Sequence, residues 1–141
     1  MGGPDRLPAD GDRPLGDSPV PHPWGDVSVR SSTAGGLMLV EVEGELNDAA
    51  VRHWRELLNS AITEGATGVV VDLRGCRAVD IGCLSVLVAA SGKLKERGDA
   101  GINLVTTPGS PLKRRIQATA AKRLDGYSSA GEALRSLRDA P

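Results

Sequence analysis

The sequence predicts a single α/β domain: a mixed sheet of four to five strands packed with about four helices. Three observations predict it. Stretches with an apolar residue at every second position alternate along the chain with stretches at helical spacing. The run GVVVDL at 68–73 is apolar and rich in Val, as a central strand covered on both faces must be. Glycines and capping residues punctuate the pattern at 65, 98 and 110–111. Strands that alternate with helices form parallel pairs joined by right-handed crossovers.

The elements follow in order. Residues 27–30 alternate weakly, and SSTAGG at 31–36 supplies turn chemistry. In 37–44, Met38, Val40 and Val42 fall on one face and Glu41 and Glu43 on the other, the period of a half-buried strand. The short Gly-containing link makes these two strands an antiparallel hairpin. Asn47 or Asp48 caps the first helix, where Val51, Trp54, Leu58 and Ile62 share a face and Gly65 closes the end. The strand at 68–73 leads through a short loop to a second helix over 81–97, with Leu84, Leu87, Val88, Ser91 and Leu94 inward and Gly98 as the stop. Residues 102–105 form another strand. Ser110 and Pro111 start a third helix that runs through Leu112 and Ile116 toward Ala120. A short strand is expected near Tyr127, and Ser129 with Glu132 forms a capping box for a last helix to about Arg138.

Ahead of the domain, residues 1–25 hold six prolines among Gly and Asp without apolar periodicity. Such a segment buries too little surface to offset its ordering entropy, so a tail without fixed structure is expected there and the domain at 26–139. Trp24 at its end is either docked on the domain or a loosely packed linker aromatic. Aromatic side chains are scarce, with two Trp, one Tyr and no Phe, so the core is built from Val, Leu, Ile and Ala.

Charge and composition narrow the function. The formal net charge of −1 gives no overall attraction to nucleic acid or to an anionic membrane. Lys113, Arg114 and Arg115 form a short basic cluster without stacking aromatics, better read as a solvated helix face than as an RNA site. No apolar run is long enough to span a bilayer and no export signal opens the chain, so a cytoplasmic protein with reduced cysteines is expected. A Gly-rich phosphate loop, a His-Glu-x-x-His helix and a nucleophile elbow are all missing, so no catalytic residues, cofactor or metal are expected. His53 stands among Arg52 and Arg55 as a solvated residue, His22 lies in the tail, and Asp72 and Asp80 serve a strand end and a cap.

The informative stretch is VVVDLRGCRAVDIGCLSVL at 69–87. Asp80 stands at the mouth of the second helix, where its carboxylate satisfies free N–H groups and meets the positive end of the helix dipole. With GELN at 44–47, this order of elements resembles the STAS domain, and more narrowly the bacterial anti-sigma factor antagonists, over roughly residues 27–138. The resemblance implies a protein-binding regulator that sequesters a kinase-like anti-sigma factor and so releases a sigma factor. In that family a serine directly after the Asp is phosphorylated by the anti-sigma factor, and the phosphoprotein lets go. Here Ile81 stands at that position and Cys83 where Gly is usual, while Asn47 replaces a frequent Asp. Ile has no hydroxyl, so the switch is missing at this site and an apolar contact takes its place.

The expected contact surface is therefore Asp80, Ile81, Gly82, Cys83 and Ser85 at the helix mouth, with Asn47 and Asp48 beside it. Ser85, four residues past Ile81 on the same helix face, is a weak candidate for a displaced phosphoacceptor. Cys76 and Cys83 flank the motif. Cys83, in a helix first turn, is the candidate for a reactive thiolate, and Cys76 reads as a buried hydrophobe. The alternative function is a STAS module of a stress-signalling or lipid-transport assembly, redox-sensitive through Cys83.

Overall fold

Two glycines shape the front of the sheet. In the computed structural model, which describes residues 22–23 and 27–139, Gly35 and Gly36 take φ of 60° and 85°. A two-residue hairpin turn needs positive φ at both positions, which glycine adopts without steric cost. They join β2 (Val27–Ala34) to β3 (Leu37–Leu46) in an antiparallel pair. The sequence gives all of 31–36 to the turn. The strand instead persists to Ala34, because the turn needs only Gly35 and Gly36, and residues 31–34 pair with 37–40.

Beyond the hairpin the sheet is parallel: β3 pairs with β4 (Gly68–Val79), β4 with β5 (Gly101–Val105), and β5 with β6 (Asp125–Tyr127). A two-residue strand, β1 (His22–Pro23), lies antiparallel along the outer edge of β2, and the spatial order is β1-β2-β3-β4-β5-β6. Thus five strands make the mixed sheet, with β1 as an added edge. The far end of the stretch expected to be without structure joins the sheet, since the backbone groups of an edge strand accept further pairing. The rest of that stretch, Trp24 included, lies outside the described residues.

β4 runs six residues past its expected end at Leu73. Two irregularities in the β3–β4 register, between Glu41 and Glu43 and between Gly44 and Glu45, let pairing continue past Arg74, Gly75 and Arg77 until Leu46 faces Val79. A bulge absorbs the mismatch that polar residues introduce into an apolar pattern.

Four α-helices complete the domain: α1 (Val51–Thr63), α2 (Ile81–Glu96), α3 (Pro111–Gln117) and α4 (Ala130–Arg138). Single 3-10 turns occupy Asp48–Ala50 and Ala120–Arg123. The third helix thus stops short of Ala120, and the chain reaches it in a separate turn capped by Thr119, whose hydroxyl accepts the Ala121 N–H at 3.1 Å. Ser110 caps α3 through the Lys113 N–H at 3.1 Å, and Ser129 caps α4 through the Glu132 N–H at 3.2 Å.

Side-chain alternation sorts the core into two layers. Val40, Val42, Val69, Val71, Leu73, Ile102 and Leu104 face the larger cluster, where Trp54 and Leu58 of α1 and Leu84, Leu87 and Leu94 of α2 pack. Val70 and Val105 point the other way, under Ala133 and Leu137 of α4. The amide of buried Asn103 donates to the Ala133 carbonyl at 3.1 Å and ties α4 to that face. Arg97 fastens the far ends of α1 and α2, donating to the carbonyls of Ile62 and Ala66 at 3.0 and 2.7 Å.

Trp54 is fully buried, and its indole N–H donates to the Cys83 carbonyl at 3.2 Å, joining α1 to the first turn of α2. Trp54→Phe keeps most of the apolar contact but leaves that carbonyl buried without this donor. That carbonyl keeps its place in the α2 ladder, so the expected loss from the hydrogen bond is about 1 kcal/mol of unfolding free energy in urea titration.

Candidate functional site

The site is assembled by the parallel register of β3 and β4. Leu46 and Val79 are partners at the ends of these strands, so the chain leaves both strands side by side. A bond of 2.6 Å from the Asp80 N–H to the Leu46 carbonyl extends the pairing by one step. From there one chain turns into residues 47–50 and the other into α2.

Each turn is held by its own cap. Asn47 accepts the Ala49 N–H at 3.1 Å and so caps the 3-10 turn, with exposed Asp48 inside it. Neither residue caps α1 as expected, because that turn intervenes and Ala50, without a side-chain cap, stands at the start of α1. Asp80 is extended (φ −67°, ψ 147°) and its Oδ2 accepts the Gly82 N–H at 2.8 Å. A Cβ on Gly82 would lie 2.9 Å from Asp80 Oδ2 and 3.2 Å from Val51 Cγ2, so only glycine leaves room for the cap and for α1 together. The Cys83 thiol donates to the Asn47 carbonyl at 3.7 Å and closes the link between the two turns.

The expected site residues divide into surface and support. Ile81 is 62% exposed, the exposed large apolar side chain among the described residues. Ser85 and Asp48 are also exposed, and Asn47, Asp80 and Gly82 are partly so. Cys83 corrects the expectation: it is fully buried and forms the floor of the site rather than its surface. The flanking ion pair of Arg77 and Glu45 at 3.4 Å is not legible in the sequence, because it depends on the shifted register of β3 and β4.

The two cysteines of the redox expectation are both buried. Cys76 and Cys83 are free, and the Cys76 thiol donates to the Ala78 carbonyl at 3.2 Å. Burial raises the Cys76 pKa. Burial, then the charge of Asp80, pushes the Cys83 thiol from its ordinary 9.0 to about 12. The helix dipole does not offset desolvation and nearby carboxylates, so a reactive thiolate is disfavoured at neutral pH.

Asp72 is likewise committed. Its carboxylate takes a bidentate grip from Arg74, at 3.0 and 2.7 Å, which raises the arginine's pKa through that hydrogen bond and charge. His53 is exposed on α1. Among the described residues no group of three or more His, Cys, Asp or Glu could hold a metal ion, and no helix is long and apolar enough to cross a membrane.

Two measurements check this geometry. Gly82→Ala would normally strengthen a helix by about 1 kcal/mol; here it should lower thermal stability, because the new methyl displaces the Asp80 cap. Native protein at pH 8 should resist a thiol reagent at both cysteines until urea unfolds it. Because the folded Cys83 pKa lies above its ordinary 9.0, this group's contribution to stability is present below that pH and is lost as pH rises toward 12.

Comparison with known proteins agrees with this architecture. A family profile described as "Mlab, STAS domain" matches residues 29–121. No curated protein matches the sequence. An anti-sigma factor antagonist from Mycobacterium paratuberculosis superposes with a TM-score of 0.69 at 23% identity, covering 85% of this chain and 100% of that one. The Bacillus cell fate determinant SpoIIAA in its phosphorylated form gives 0.58 at 18% identity, covering 78% and 99%. A substituted RsbS from Moorella thermoacetica gives 0.60 at 18%, covering 79% and 95%. At these identities the likeness shows a shared fold, and with the profile match it establishes that the chain belongs to the STAS domain family.

Proposed function

We propose that this chain is a protein-binding regulator of the anti-sigma factor antagonist type. It docks the mouth of α2 on an anti-sigma factor and thereby releases a sigma factor. One observation supports the reading: an exposed large apolar side chain, Ile81, directly follows the capping Asp80, at the position where the family resemblance implies a phosphorylatable serine. An apolar side chain held out at a rigid helix mouth loses unfavourable water contact when a partner covers it. Without a hydroxyl, that position has no phosphorylation switch, and the bound state is controlled by the amounts of the two proteins.

The surface is suited to binding rather than turnover. Asp80 is spent on the cap and Asp72 on Arg74, so neither carboxylate is poised as a general base. Ser85, exposed one helical turn from Ile81, lies within the proposed footprint, and a phosphate there would bring nearly two negative charges beside Asp80.

The test is affinity capture from the native host with mass spectrometry, repeated with Ile81→Glu. We expect an ATP-binding, kinase-like anti-sigma factor with the unchanged protein. Its loss from the Ile81→Glu capture is expected while circular dichroism stays unchanged, because a buried unpaired carboxylate at an interface costs several kcal/mol. Equal recovery by both proteins would remove Ile81 from the interface. Recovery of transport or stress-complex proteins alone would assign the chain to another STAS role.

A further inference from the structure

The chain's near-zero net charge hides a segregation. Residues 100–124 contain Lys113, Arg114, Arg115, Lys122 and Arg123 and no Asp or Glu, while the remainder carries twelve Lys and Arg against eighteen carboxylates. The separation runs along the chain and ends at exposed Asp125, two residues past Arg123. Leu112 and Ile116 turn the apolar side of α3 into the core, and Ala121 and Leu124 anchor the following 3-10 turn, so the cations between them face outward. Arg114, Arg115, Lys122 and Arg123 are exposed and Lys113 is partly so. Elsewhere Arg52, Arg74, Arg77 and Arg97 each have a carboxylate within 4 Å. Among the described residues these five have none, and Arg114 is held only by the Gly109 carbonyl at 2.8 Å.

We propose that this basic surface of α3 and the following 3-10 turn is a second docking site, and that it takes a short acidic segment of another protein. Size and charge choose this occupant. α3 has seven residues, about 10 Å of helix, and an extended segment of four to six residues covers that span with its following turn. A long polyanion or an anionic membrane would extend past the patch and meet the net negative remainder of the molecule, which a short segment avoids. Neither rival finds its usual foothold. The exposed large apolar side chain among the described residues is Ile81, which lies on α2 and not on this surface, so the patch offers nothing to insert into a bilayer. No aromatic ring lies in 100–124 to stack on a base. The inference stands independently of the reading of the α2 mouth.

The test is fluorescence anisotropy of a labelled peptide of six glutamates flanked by Gly and Ser, titrated with the full chain. Binding is expected at about 50 mM salt, weakening about tenfold by 300 mM as the charges are screened. The triple substitution Arg115→Glu, Lys122→Glu and Arg123→Glu should abolish it with the circular dichroism spectrum unchanged. The Arg115→Lys and Arg123→Lys pair should retain it, and so should Ile81→Glu, which separates this site from the α2 mouth. No binding at low salt, equal binding by the triple variant, or loss of binding in Ile81→Glu would each overturn the proposal. Tighter binding of a short DNA duplex, or of phosphatidylcholine vesicles with about one-third phosphatidylglycerol, would overturn the choice of occupant.

Discussion

The parallel pairing of β3 with β4 is the constraint on which the rest of the molecule depends. It must continue to Leu46 and Val79, because only then do residues 47–50 and the mouth of α2 emerge next to one another. Sustaining it past Arg74, Gly75 and Arg77 requires two irregularities, which twist the strands where an uninterrupted ladder would put polar side chains into the core. A shift of one residue would exchange the faces of β4 and turn Val69, Val71 and Leu73 away from the helices. The apolar pattern thus fixes the register, and the register delivers the site.

Around that frame the mouth of α2 is a set of small commitments that together leave one side chain unspent. Asp80 holds Gly82, Asn47 holds Ala49, the Cys83 thiol reaches Asn47, and Trp54 holds the Cys83 carbonyl. Each bond is worth about 1 kcal/mol on its own. Their joint effect is geometric: with the backbone fixed on both sides, Ile81 has nowhere to pack but outward. Its exposure follows from the packing beneath it.

Much of this was legible in the sequence. Period-two alternation located β3, the apolar Val-rich run located β4, helical spacing located α1 and α2, and the caps Asp80, Ser110 and Ser129 mark their helices correctly. The length of β4 was not legible, since Arg74, Gly75 and Arg77 carry loop chemistry and only their pairing with β3 makes them strand. Nor was the burial of Cys83, because a helix first turn is ordinarily open to solvent, and here α1 and the residue 47–50 turn cover it. Trp54 read as core, and it is, but its tether to the Cys83 carbonyl depends on a tertiary contact that spacing does not encode.

The arginine strap at the far end of the helix pair bears on how the domain would meet the partner proposed for it. Trp54 grips α2 at Cys83, and Arg97 grips the end of α1 fourteen residues later, about 20 Å along the axis. Two fastenings so far apart resist both pivoting and sliding, so α1 and α2 behave as one stiff plate backed by the sheet. A load applied at Ile81 is therefore spread over the whole plate instead of bending the tip of one helix. Association on such a surface orders few new degrees of freedom, and a contact of modest area can then hold a long-lived complex.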